Sequence, residues 1–116
     1  MAFKFAARLA DIPLDSGYCA HIDGHDVGLY RIAKTGELHA MENRCPHAGF
    51  PLHIGALEGS IIICAAHGWP YDVCTGRMPG QSDGFPLERY PIELRGEEVW
   101  VDIEAPLPDE RAPSPA

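Results

Sequence analysis

Basic side chains are scarce in this chain. Nine Lys and Arg stand against 17 Asp and Glu in 116 residues, a formal net charge of −8. Such a chain is repelled by nucleic-acid phosphates and by anionic lipid, so neither is an expected partner. Long hydrophobic runs are also missing, and nothing approaches the ~20 apolar residues of a membrane span. The opening stretch MAFKFAARLADIPLD places Lys4, Arg8 and Asp11 where a signal peptide would carry its apolar core. A cytoplasmic protein is therefore expected, in a compartment where stable disulfides are uncommon. No window shows helical periodicity over three turns, and no internal repeat or second domain stands out. Cysteine is sparse, with only Cys19, Cys45, Cys64 and Cys74. In this setting metal ligation is a better expectation for them than disulfide pairing.

What is present reads as one all-β domain. Hydrophobic residues make up 46% of the chain, enough for a modest core, and 12 Gly with 11 Pro favour turns over helices. Asp23-Gly24, Thr35-Gly36, Glu58-Gly59 and Arg95-Gly96 each separate strand-like segments and can supply the positive φ of a tight antiparallel turn. Around the last of these, Tyr90, Ile92 and Leu94 alternate onto one face, as do Val99, Val101 and Ile103, with Glu93 and Asp102 opposite. Ile61 to Ile63 is a continuous apolar run, the pattern of a strand buried on both faces. Two loops interrupt the strands, from about Asn43 to Gly55 and from Cys64 to about Phe85, so loop sequence dominates 43–85. The domain is expected to span 1–104, and the Pro- and Ala-rich tail 105–116 to be disordered.

Each loop opens on a cysteine with a histidine close behind, Cys45-Pro46-His47 in the first and Cys64-Ala65-Ala66-His67 in the second. Thiolate and imidazole are ligands for soft and borderline metals. Two claws of this kind suit either one tetrahedral zinc or a 2Fe–2S cluster with two cysteines on one iron and two histidines on the other. The stretch CPHAGFPLHIGALEG, followed by IIICAAHGWPYDVCTGRM, resembles the double box of the Rieske family, and the likeness extends over roughly residues 3 to 103.

That resemblance implies a Rieske fold, an antiparallel β sandwich or barrel base carrying a small cluster-binding subdomain of two loops. It implies one 2Fe–2S cluster, with Cys45 and Cys64 on the inner iron and His47 and His67 on the outer. Imidazole ligation would raise the potential above that of all-cysteine ferredoxins and couple electron to proton affinity at high pH. High-potential members of the family carry a disulfide between the boxes and a serine after the second histidine. Here those positions hold Phe50, Ala66 and Trp69. Tyr71 is kept, and its hydroxyl is expected to reach the sulfur of Cys45. The potential should lie low in the Rieske range, about −150 mV or somewhat above. A third, proline-bearing loop over the cluster must come from MPGQSDGFPLERYP, through Pro79 or Pro86.

The remaining candidates have simpler readings. His21, His25 and His39 are expected to be ordinary surface or satisfied side chains, His53 a loop residue and no ligand, and Trp100 a packing residue. Cys19 and Cys74 are expected to be free thiols, the latter without a His partner nearby in sequence. Acids and bases cancel between Asn43 and Gly80, whereas −5 of the net −8 lies from Leu87 onward. The cluster end is thus neutral, with Phe50, Pro51, Ile54, Trp69 and Met78 available near its tip. The expected function is single-electron transfer from a flavin-dependent reductase to a terminal oxygenase, the chain itself lacking the separate iron site an oxygenase requires. The alternatives are a fixed small subunit of another oxidoreductase, such as an NADH-dependent nitrite reductase, and a structural zinc-binding module.

Overall fold

A computed structural model describes residues 2–45, 49–66, 68–79 and 87–107. Its strands, in chain order, are β1 (Lys4–Arg8), β2 (Gly17–Ile22), β3 (His25–Arg31), β4 (Leu38–Glu42) and β5 (Ala56–Glu58). They continue with β6 (Ile61–Ile63), β7 (Pro70–Asp72), β8 (Arg89–Tyr90), β9 (Ile92–Arg95) and β10 (Glu98–Val101). Three sheets with antiparallel pairing result, in the orders β1-β10-β9, β2-β3-β4-β8 and β5-β6-β7, and none closes into a barrel. Short 3₁₀ turns at Leu9–Asp11 and Leu52–Ile54 are the only helical elements among the described residues.

The four-stranded sheet is the shared wall of two cores. On one face, Val27, Leu29 and Ala40 pack with Ala7, Val99 and Val101 of the first sheet. On the other, Tyr30 and Met41 pack with Leu57, Ile62 and Tyr71 of the third sheet, and with Cys45 and Cys64. Alternation along β3 sends successive side chains to opposite cores, so Val27 through Tyr30 are all fully buried. The doubly buried strand is therefore β3, not the isoleucine run expected to be one. In β6 only Ile62 is fully buried, because the third sheet has one apolar face.

The Asp23-Gly24 hairpin forms as its sequence predicts, both residues at positive φ (48° and 82°). At the next glycine pairs the turn sits one residue later. Glu58 pairs with Ile61 and Arg95 with Glu98, leaving Gly59-Ser60 and Gly96-Glu97 as the two-residue loops. One positive φ, at the glycine, suffices there, so the preceding residue stays in its strand. Thr35-Gly36 lies in a longer loop closed by the Gly36 amide on the Ile32 carbonyl, 2.7 Å.

Pro91 splits the strand expected around Tyr90 to Leu94. Tyr90 pairs with Ala40 in the central sheet, whereas Ile92 pairs with Val101 in the first. Leu94, on the edge strand beyond the base core, is 51% exposed, against expectation. Asp102, expected on the outer face, is 1% exposed. Its carboxylate accepts the backbone N–H groups of Ala2 (3.0 Å) and Glu104 (2.9 Å), which satisfies its charge. The second loop is shorter than expected, because Pro70–Asp72 forms β7 and completes the third sheet. The tail expected to be disordered lies outside the described residues from 108 on.

Candidate metal centre

Both loops are closed by the same two backbone hydrogen bonds. After β4, the Cys45 amide donates to the Phe50 carbonyl and the Gly49 amide to the Cys45 carbonyl, each at 2.8 Å. After β6, the Cys64 amide donates to the Trp69 carbonyl (2.9 Å) and the Gly68 amide to the Cys64 carbonyl (2.8 Å). Gly49 and Gly68 hold matching φ values of +66° and +71°, a left-handed conformation that side-chain-bearing residues avoid. Proline follows the aromatic residue in both cases and favours the extended exit. The sequence therefore does contain a short internal repeat, Cys-x-x-x-Gly-aromatic-Pro, at 45–51 and 64–70. It escapes notice because the histidine stands second after the cysteine in one copy and third in the other.

This closure turns both cysteines inward. Cys45 is 0% and Cys64 1% exposed, in the core that also holds Tyr71. The Tyr71 hydroxyl lies beside Cys45, within hydrogen-bonding reach of its thiol. Burial, then Cys45 and Cys64 beside it, push the Tyr71 hydroxyl up to about 12, so it remains an O–H donor. The loops are drawn together from below by Gly55, where a Cβ would lie 1.8 Å from the Ile63 carbonyl oxygen. Only glycine permits that approach.

The donor chemistry fits an iron–sulfur cluster. Two buried thiols, on loops of the same construction and around one tyrosine, can hold the inner iron of a 2Fe–2S centre. His47 and His67 lie outside the described residues, as do residues 80–86, which include Pro86; Pro79 is exposed. Phe50, Ile54 and Trp69 are exposed apolar side chains, at 39%, 54% and 36%. Met78, expected with them, packs against the core instead.

His53 has a different task. Its ring and its amide are both held by the buried Asn43, at 2.7 and 2.8 Å, which ties the first loop to the end of β4. His21 meets Asp26 across the β2–β3 hairpin at 2.5 Å. Trp100 packs edge-on to Phe5 at 6.1 Å, as a packing residue should. Cys74 is a free thiol, as expected, and its sulfur lies 3.4 Å from the imidazole of His39, 35 residues away in sequence.

No helix among the described residues is long and apolar enough to cross a membrane. The ferredoxin component of a naphthalene 1,2-dioxygenase system from Pseudomonas aeruginosa is 32% identical over 98 residues, covering 84% of this chain and 92% of that protein. A 4beta-methylsterol monooxygenase of Methylococcus capsulatus is 34% identical over 87 residues, but the chain spans only 23% of its length. Among solved structures, the complex of reduced oxygenase and oxidized ferredoxin in carbazole 1,9a-dioxygenase contains a similar fold. The TM-score is 0.75 at 26% identity, over 85% of this chain and 91% of that one. The family model described as Rieske 2Fe-2S domain matches residues 3–91. With the paired cysteine loops and this match over most of its length, the chain belongs to the Rieske family and carries one 2Fe–2S cluster.

Proposed function

We propose that this chain is an electron-transfer component, taking single electrons from a flavin-dependent reductase and passing them to a terminal oxygenase. The observation that carries the reading is the pair of identically closed loops on buried Cys45 and Cys64, in a chain spanning 92% of a dioxygenase ferredoxin component. Cys45, His47, Cys64 and His67 are the ligands we assign. The bound cluster supplies one-electron redox chemistry at a potential set by its mixed ligation.

The protein's own share is positioning and insulation. The loop closures fix each cysteine without using its side chain. The core of Leu52, Leu57, Ile62 and Val73 keeps water from the thiol side. Tyr71 donates a hydrogen bond to the Cys45 sulfur, which lowers the cost of added negative charge there. The exposed Phe50, Ile54 and Trp69 supply a small apolar contact for a transient partner.

The test is a coupled assay. Purified protein should show a Rieske-type paramagnetic signal after dithionite. It should also be reduced by a flavin-dependent reductase and reoxidised by an oxygenase in repeated turnovers. His47→Ala and His67→Ala should each lose that signal, and intact spectra in both would show that the ligands are misassigned. Tight copurification with a single oxidoreductase and no exchange of electrons in solution would favour the fixed-subunit role instead.

A further inference from the structure

We propose that Glu37, His39 and Cys74 form a second metal site, separate from the cysteine loops, which binds one zinc ion and leaves one coordination position open to solvent. The three donor atoms already lie within 4.8 Å of one another. The Cys74 sulfur is 3.4 Å from His39 Nε2, and Glu37 Oε1 is 2.9 Å from the same nitrogen. In a tetrahedral zinc site with ordinary bond lengths, sulfur and nitrogen stand about 3.5 Å apart and nitrogen and oxygen about 3.3 Å. The two separations from Nε2 need widen by only about 0.1 and 0.4 Å. The Cys74 and Glu37 donors, within 4.8 Å of each other, must settle at about 3.5 Å, which the exposed Glu37 side chain can supply.

The pattern of contacts favours a metal over thiol chemistry. In a nucleophilic relay the carboxylate and the thiol engage opposite nitrogens of the imidazole. Here both approach Nε2, so the three donors converge on one point. The other Cys, His and acid group makes the contrast. His21 contacts Asp26 through Nδ1 and Cys19 through Nε2, at 2.5 and 4.0 Å, and its side chain is largely exposed.

The framework is already rigid. Glu37, the residue before β4, and His39, the second residue of β4, are two apart along the chain and so share a face. Cys74 sits in a turn in which the Asp72 carboxylate accepts the Cys74 amide (2.9 Å) and the Asp72 carbonyl accepts that of Gly76 (2.7 Å). His39 is only 20% exposed, whereas Glu37 at 52% faces water and leaves a path for the ion. The charges around the sulfur are Asp72, Glu37 and Arg89. With a thiolate they sum to −2, matched to a divalent cation. The ion would fasten the central sheet to the turn that follows β7, on the sheet bearing Cys64.

The experiment loads the cluster-bearing protein with zinc, removes excess by gel filtration and counts metals. A chromogenic chelator in competition then gives the affinity. We expect one zinc per chain in addition to the cluster irons, with unchanged visible absorption and a higher thermal midpoint. Cys74→Ser and His39→Ala should each weaken binding by more than the roughly 10- to 100-fold that loss of an outer-shell partner costs. Cys19→Ser should bind as wild type. If His39→Ala does not fold, Glu37→Gln at the surface gives the same direction of change with the cluster intact. Full zinc binding in the Cys74 and Glu37 variants, or no stoichiometric zinc in wild type, would overturn the proposal.

Discussion

Removing one hydroxyl group should stabilise this protein. Tyr30 is 0% exposed in the core that holds both loop cysteines, and its hydroxyl has no hydrogen-bond partner among the described residues. Burial pushes that hydroxyl's pKa upward, so it stays neutral, but a neutral unpartnered hydroxyl still costs about 1–3 kcal/mol. Tyr30→Phe deletes the group. The void left is about 10–15 Å³, worth about 0.3 kcal/mol at ~24 cal/mol per Å³. The net expectation is a gain of about 1–2 kcal/mol, or a midpoint about 4–8 °C higher for a domain of this size. Gly28 provides the cross-check. A Cβ there would sit 2.6 Å from the Tyr30 hydroxyl oxygen and 3.0 Å from two ring carbons, and the enclosed ring has nowhere to move. Gly28→Ala should therefore cost about 1–3 kcal/mol through overpacking. Part of that loss should be recovered in the double variant, where the closest contact is gone. Midpoints are read from far-ultraviolet dichroism and from visible cluster absorption at one scan rate. A Tyr30→Phe variant destabilised by about 1 kcal/mol or more, with additive double-variant behaviour, would refute the reasoning.

Three further outcomes follow from the geometry. Tyr71→Phe removes the donor to the Cys45 sulfur, so the reduction potential should fall by some tens of millivolts, ~60 mV for each ~1.4 kcal/mol of differential stabilisation; a redox titration showing no fall contradicts this. Gly55→Ala drives a methyl group into the Ile63 carbonyl and should cost at least about 3 kcal/mol, seen as poor cluster retention on purification; full retention with an unchanged midpoint would refute the close approach. The Cys74 thiol is pushed up to about 11 by burial first and by Asp72 and Glu37, so it is protonated at neutral pH and gains reactivity only as pH rises toward that value. In metal-free Cys19→Ser protein, iodoacetamide at pH 8 should modify it roughly 100-fold more slowly than an ordinary exposed thiol, and an ordinary rate would contradict the assignment.

Local signals were legible where one residue type has one conformational use. Asp23-Gly24 specifies its hairpin because both residues tolerate positive φ, and the spacing of Cys45 and Cys64 marks two loops whose cysteines are buried in one core. Signals that depend on the partner strand were not. Pro70 in a loop-like stretch conceals a strand, because proline at a strand's first position needs no amide hydrogen. Pro91 hides a change of sheet in what reads as continuous alternation. The burial of Asp102 is invisible until the backbone amides of Ala2 and Glu104 arrive to satisfy it. Likewise Cys74 finds His39 only through tertiary packing, at a separation no local pattern encodes. The matched glycines at 49 and 68 were readable and informative, and aligning the loops on their cysteines instead of their histidines exposes them.

The pairing of β1 with β10 has a consequence for how such a domain travels between proteins. Lys4 lies opposite Val101, so the chain enters the fold on the outer sheet, across the central wall from Cys45 and Cys64. Beyond Val101 it runs on until the Leu107 amide meets the Arg89 carbonyl (2.7 Å) on the central sheet. Polypeptide added ahead of β1 is attached to the back of the module and leaves the redox end clear. A unit built this way can be transplanted, serving as nearly all of one protein or as 23% of another, without redesign of its metal-bearing face.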